Sequence, residues 1–245
     1  MADNFSSRLA LVRTRFRNRK FVSAHESLAV LDLAGVNSID ALTKLVADRG
    51  APATLRTSAA WLLGQLRERQ AVPVLLRMLT ESKAHEFTCA AMRALGSISD
   101  KTSVPSLISL LQSRRRSVDV RMGAAYALGY IGDRRATPVL ISVLQNVRMC
   151  PRLRDQAAEA LGLLYDKRSM QPLMAALFDA DPGVRASAAN SLGEIGAIPA
   201  LSALKTLTRK SSESDPLVRR LAREAVATLE ERRRRIGDVG PRRPS

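Results

Sequence analysis

Aromatic side chains are scarce in this chain: one Trp, three Tyr and five Phe make up 4% of 245 residues. Hydrophobic residues nonetheless amount to 46%, so the core must be built from Ala, Leu, Val and Ile, the residues of close helix packing. Period-2 apolar alternation is missing, which argues against a β-sheet. No apolar run approaches the ~18 residues that would span a bilayer. The two cysteines, Cys89 and Cys150, are far apart and form no C-x-x-C pair. That excludes a disulfide framework or a zinc knuckle and points to free thiols in a reducing cytoplasm. There is no Gly-rich phosphate loop, no G-x-S-x-G elbow and no clustered set of metal ligands. No cofactor is expected on these grounds, and no catalytic residue.

Acidic residues are also in deficit, 23 against 39 Lys and Arg, for a net charge of +16. Residues 1–20 carry Arg8, Arg13, Arg15, Arg17, Arg19 and Lys20 against Asp3, a net +5. Residues 232–245 carry Arg232, Arg233, Arg234, Arg235, Arg242 and Arg243 against Asp238, again +5, which leaves only +6 for the body. The first 21 residues have no continuous apolar segment after their charges, so they do not read as a secretory signal. An Arg-rich, acid-poor start also fits a transit peptide, but the matching charge at the other end favours a plain basic arm.

What is present is a period. Leu-Gly pairs fall at Leu63-Gly64, Leu95-Gly96, Leu128-Gly129, Leu161-Gly162 and Leu192-Gly193. Seven positions before each Leu stand Arg56, Thr88, Arg121, Arg154 and Arg185, and nine or ten after the first four Gly come Pro73, Pro105, Pro138 and Pro172. In "VRMGAAYALGYIGDRRATPVLISVL" a first apolar helix carries paired alanines, a Gly-Asp turn follows, and a second helix starts on a proline in its first turn, where the missing N–H costs nothing. Neither helix can bury its apolar face alone, so neighbouring units must supply the core. The pattern continues in degraded form at both ends, around Leu31-Asp32 and Val226-Ala227, as terminal caps should. After Gly193 the turn is three residues short. The predicted organisation is a basic arm over 1–20, a solenoid of about six hairpins with a leading helix over 21–231, and a basic, disordered tail over 232–245.

"VRMGAAYALGYIGDRRATPVL" resembles the HEAT-like repeats named after phycobilisome lyases, whose pattern is roughly V-R-x-x-A-A-x-A-L-G-x-I-G-D-x-R-A-x-P-x-L. The likeness spans about residues 22–231. It implies an all-α, right-handed superhelix of the HEAT/armadillo kind, with the Val-Arg helix of each pair on the concave face. Positions one, five and nine after the Arg then share one stripe, since i, i+4 and i+8 lie on one helix face. Down the stack the stripe offers Trp61, Arg93, Met122, Tyr126 and Tyr130, followed by Asp155, Glu159 and Glu194. An aromatic and Arg patch has the composition of a protein-binding hot spot and could also stack bases or a flat chromophore. The plainer reading is that Trp61 and one Tyr fill gaps between helices.

The helix-start arginines Arg56, Arg121, Arg154, Arg185 and Arg219 suggest a phosphate ladder. The resemblance instead implies pairing with an Asp of the preceding turn, as Asp181 before Arg185 and Asp215 before Arg219 would allow. The early repeats lack that Asp, which would leave their arginines freer. Basic residues also crowd the turns: Arg67, Arg69, Arg134, Arg135, Lys167 and Arg168 on one edge, and Arg114, Arg115, Arg116, Arg148, Arg152, Arg209 and Lys210 on the other. Arg114 to Arg116, Arg134, Arg135 and Arg232 to Arg235 are the candidate polyanion contacts, since such charges hold phosphates without reading sequence.

Among enzymes with this repeat, a di-iron hydroxylase needs several His-Glu pairs in register. Only His25 and His85 exist, and His85 is out of register, so that chemistry is disfavoured. A bilin lyase needs a groove more than a catalytic triad and stays open as an alternative. A glycosylase-type cleft would draw on Trp61, Tyr126, Asp155 and Glu159, but such enzymes lack so regular a repeat. The expectation is a non-catalytic cytoplasmic scaffold with a protein partner on its concave face. Nucleic-acid binding through the basic ends and turns is the alternative, and oligomeric state is not legible.

Overall fold

A computed structural model describes residues 38–81 and 85–238. The expected arm over 1–20, and His25 with it, lies outside the described residues. The chain divides into two compact units, residues 1–131 and 132–245. In the first, the described helices are α1 (Ile39–Ala47), α2 (Ala53–Gln65), α3 (Val72–Glu81), α4 (His85–Ile98), α5 (Val104–Gln112) and α6 (Val118–Ile131). In the second they are α7 (Thr137–Gln145), α8 (Pro151–Leu163), α9 (Met170–Ala176), α10 (Pro182–Ile195), α11 (Leu201–Leu207) and α12 (Pro216–Asp238). The described residues contain no strand. The fold is an all-α succession of HEAT/armadillo-type hairpins.

Within each unit the helices form two layers. In the first unit α2, α4 and α6, the Val-Arg helices, pack side by side, and α1, α3 and α5 lie against them. In the second, α8, α10 and α12 form the packed layer and α7, α9 and α11 cover it. The sequence period maps directly onto this core. Leu63, Leu95, Leu128, Leu161 and Leu192 are fully or almost fully buried in one layer. Leu75, Leu107, Leu140, Leu173 and Leu204 are fully buried in the other. The paired alanines Ala59-Ala60, Ala124-Ala125, Ala157-Ala158 and Ala188-Ala189 have no exposed surface. Their small side chains let the packed layer close up, since interior contacts are dense enough for one methyl group to matter.

The glycine after each Leu has a sharper role. A Cβ on Gly64 would stand 2.7 Å from Cα of Ala94 on α4, and one on Gly193 would stand 3.0 Å from Cα of Ala225 on α12. Each is a place where the next helix backbone occupies the volume of a side chain. The turns repeat as well. Within two residues of the end of each Val-Arg helix the chain turns left-handed, at Arg67, Ser99, Gly132, Tyr165 and Gly196, with φ of 53°, 54°, 73°, 48° and 81°. An acid follows at four of these, and its carboxylate caps a single 3₁₀ turn. Glu68 accepts from the N–H of Gln70 (3.3 Å), Asp100 from Thr102 (3.2 Å), Asp133 from Arg135 (2.9 Å) and Asp166 from Arg168 (3.0 Å). In the shortened fifth turn Ala197 takes the acid's place and no side chain caps the turn.

One boundary differs from expectation. Residues 232–238, assigned to a disordered tail, continue α12 to Asp238. The segment "LEERRRRIGD" holds no proline, and Glu231 at i and Arg235 at i+4 form an ion pair at 2.5 Å that suits a helix. Residues 239–245 lie outside the described residues.

Candidate functional site

In the first unit the stripe sits on α2, α4 and α6. Tyr126 and Tyr130, one turn apart on α6, stack with ring centroids 4.4 Å apart and planes at 29°. Their seat is the backbone of α4: a Cβ on Gly96 would come within 3.0 Å of Tyr130 Cβ and 3.6 Å of Tyr126 Cε1. The same Leu-Gly position that elsewhere admits a helix backbone here admits a pair of rings. Tyr130 is 47% exposed and Tyr126 half-buried. Arg93 on α4 is exposed, at the register position beside Tyr126, and close enough to Cys89 for its charge to bear on the thiol. Burial dominates there and raises the Cys89 pKa, with the Arg93 charge opposing it and Asp119 adding to it. Trp61, at the matching position of α2, and Met122 on α6 are half-buried.

In the second unit the same register carries carboxylates. Asp155 on α8 accepts a 2.5 Å hydrogen bond from the Ser187 hydroxyl on α10. Glu159 accepts from the Gln156 amide at 2.9 Å, and Glu194 on α10 from the Asn190 amide at 3.2 Å. Burial raises the Asp155 pKa, the Ser187 bond opposes the shift, and the Asp181 charge adds to it. Crowding by protein atoms likewise raises that of Glu159, against the Gln156 bond and with the charges of Asp155 and Glu194. Thus three carboxylates share one field, the arrangement of a face suited to a cationic group. Among the described residues no set of three or more His, Cys, Asp or Glu is arranged to hold a metal.

The arginine ladder is structural, though not through the expected partners. Asp181 and Asp215 do not take Arg185 and Arg219: they cap helix starts, accepting from the N–H groups of Val184 (3.2 Å) and of Leu217 and Val218 (2.8 and 3.1 Å). Arg185 instead forms a two-pronged pair with Glu213, at 2.6 and 2.8 Å, and donates to the carbonyls of Asp179 and Ala180. Arg154 pairs with Asp179. The early arginines are not freer either. Arg56 donates twice to the Val46 carbonyl at 3.1 Å and lies over the Phe87 ring, 4.6 Å from its centre. Arg121 is buried and donates to the Leu111 carbonyl at 2.8 Å. Arg219 holds the carbonyls of Glu213 and Ser214. Arg56 and Arg121 tie their helices to the last turn of the preceding one, where unsatisfied carbonyls await donors, while Arg154, Arg185 and Arg219 hold carbonyls of the loop that leads into their own helices.

The turn charges are exposed and largely engaged. Arg135 pairs with Asp133 at 2.8 Å and Arg168 with Asp166 at 2.6 Å, while Arg134 donates to the Tyr165 carbonyl. In the first unit Arg114, Arg115 and Arg116 are exposed between α5 and α6, and Arg116 donates to the Thr80 carbonyl. Arg232 to Arg235 are exposed on α12, with the Arg232 guanidinium lying over Gly196. The sequence reading missed an apolar groove of about 440 Å³ in the second unit, with Val147 and Phe178 at its edge. The available signal was an aromatic residue standing in a loop, outside the periodic register.

The model of HEAT repeats matches residues 39–118, 85–148 and 140–227. The chain belongs to the HEAT-repeat family. Two solved structures agree on the architecture. A chain from the Kap95p–RanGDP complex is 15% identical, covers all of this HEAT-repeat protein with 35% of its own length, and has a TM-score of 0.67. An engineered protein is 22% identical over 79% of this chain and 96% of its own, with a TM-score of 0.52. A chain of the CpcE–CpcF phycocyanin lyase complex from Nostoc sp. PCC7120 is 25% identical over 90% of this chain and 94% of its own, with a TM-score of 0.48. No curated protein gives a significant sequence match. None of the described helices is long and apolar enough to cross a membrane.

Proposed function

We propose that this HEAT-repeat protein is a non-catalytic cytoplasmic scaffold that binds a protein partner through the concave, Val-Arg helix side of its repeats, without a cofactor. The observation that carries the reading is the stacked Tyr126–Tyr130 pair seated on Gly96 beside Arg93. The Tyr130 ring, 47% exposed, is not needed to complete a core, and Tyr, Trp and Arg are the residues that anchor protein interfaces. The carboxylates of the second unit give a separate patch of different character, suited to a cationic group of a partner. Trp61→Ala with Tyr126→Ala should lose the partner in a pull-down while the circular dichroism spectrum is kept. Tyr130→Asp, at a solvent-facing ring, should do the same without threatening the core. Unaltered recovery of the partner by both variants would refute the reading.

A second reading, polyanion binding, is supported by Arg232 to Arg235, four consecutive exposed cations on α12. Replacing all four by Gln should then abolish salt-sensitive retention on duplex DNA or RNA, since each lost phosphate contact flattens the salt slope by about one unit. Unchanged retention would remove this alternative.

A further inference from the structure

The groove of about 440 Å³ lies wholly in the second unit, on the loop edge that joins α7 to α8 and α9 to α10. Leu144 and Pro172 line its body and Val147 and Phe178 its edge. Val147 is 80% exposed and Phe178 70%, the two highest values among the exposed large apolar side chains of the described residues. Two such residues at one concavity form a hydrophobic patch of the kind that marks a binding groove. The base is rigid: Arg154 and Asp179, both lining residues, are paired with side chains only 7% and 10% exposed. Neither helix register nor turn chemistry requires Val147 or Phe178 to be apolar.

The charge around the groove identifies the occupant. The loops at this edge contain four acids, and all four are turned to internal use. Asp179 holds Arg154, Asp181 caps α10, Glu213 holds Arg185 and Asp215 caps α12. The bases of the same loops and of the α8 start, namely Arg148, Arg152, Arg209 and Lys210, are exposed. The Arg154–Asp179 and Arg185–Glu213 pairs join the three successive loops into one edge. An apolar cleft with its acids facing inward and its bases facing solvent is complementary to an acidic chain with a bulky apolar anchor. We infer that this edge binds a short acidic peptide segment of a partner protein, which inserts a Phe or Leu between Val147 and Phe178 and sets Asp or Glu residues against Arg148, Arg209 and Lys210. This surface is separate from the tyrosine face of the first unit and stands or falls independently of it.

The test uses the full chain and fluorescein-labelled ten-residue peptides read by anisotropy. The probe carries Phe and Leu three residues apart within a run of Asp and Glu. One control replaces both anchors with Ser, and another replaces the acids with Lys. The acidic, anchored peptide should bind, and each control should bind at least tenfold more weakly. Phe178→Ser, a change at an exposed side chain, should weaken the probe about tenfold with the thermal melt unchanged. Arg148→Glu with Arg209→Glu should weaken it similarly and reduce its salt dependence. No binding of the acidic probe up to millimolar concentration, equal binding of the Lys peptide, or indifference to Phe178→Ser would overturn the inference. Self-association in sedimentation that Phe178→Ser abolishes would also overturn it, by making the groove a contact between copies of this chain.

Discussion

Replacing Gly64 with Ala is the most informative test of how the repeats pack. Gly64 stands in the last turn of α2, where Ala should be the better helix former by up to about 1 kcal/mol, because Gly loses more backbone freedom on folding. The geometry opposes this gain. The new methyl would lie 2.7 Å from Ala94 Cα and 3.2 Å from Ala94 Cβ, and the nearer atom is backbone that cannot rotate away. Pushing α4 off α2 to an ordinary contact means separating helices packed at interior density, and overpacking of this kind costs about 1–3 kcal/mol. Because the nearer clash is with backbone the cost falls in the upper part of that range, and the net expectation is a loss of about 1–2 kcal/mol, or roughly 2–8 °C in melting temperature for a domain of this size. Equilibrium urea unfolding followed by circular dichroism at 222 nm would measure it. Adding Ala94→Gly removes only the farther contact, so it should restore little. If Gly64→Ala were neutral or stabilising, helix propensity would outweigh the close approach. The account of the Leu-Gly period would then be wrong.

Two further outcomes follow from carboxylates of the second unit. Glu213→Gln should destabilise the second unit by about 3 kcal/mol, since it strips a buried, two-pronged partner from Arg185. The Glu213 pKa is lowered, chiefly by the Arg185 bond, so its contribution is present above the unfolded value of about 4.3 and is lost as pH falls through the folded one. Wild type should therefore lose stability in acid more steeply than Glu213→Gln, and equal slopes in urea melts across that range would contradict the pairing. The Glu159 pKa is raised, by crowding first and by Asp155 and Glu194 after, so the sign reverses. Its favourable term is present below the unfolded value and is lost as pH rises through the folded one, and Glu159→Gln should be the more stable protein at neutral pH. A carbon-detected titration of Glu159 with a midpoint at or below that of a model peptide would refute the shared-field description.

The parts of the structure that were legible in the sequence are those that repeat. Leu63, Leu95, Leu128, Leu161 and Leu192 recur because each fills the same slot against the next helix, and the acid-capped turns recur because each hairpin reverses in the same way. The partners of the arginines were not legible. Asp179 lies 25 residues after Arg154, and Glu213 lies 28 after Arg185, in the loop that stacking brings alongside. A nearer acid at plausible spacing, such as Asp181, turned out to be occupied by a helix cap. The stripe was legible as a set of register positions. That Gly96 makes room for the tyrosine pair was not, because that depends on the gap between two helices. Val147 and Phe178 were missed for the opposite reason: they stand in loops, where periodicity says nothing.

The central claim is that the tyrosine face meets a protein. The most direct measurement places a photo-crosslinking phenylalanine analogue at position 130, and at exposed Ser109 on α5 as a control, and irradiates the protein in lysate of its native host with and without nuclease. The account predicts a discrete protein adduct from position 130 that survives nuclease and is absent from position 109. No adduct at 130, an equal adduct at 109, or one that disappears with nuclease would contradict it.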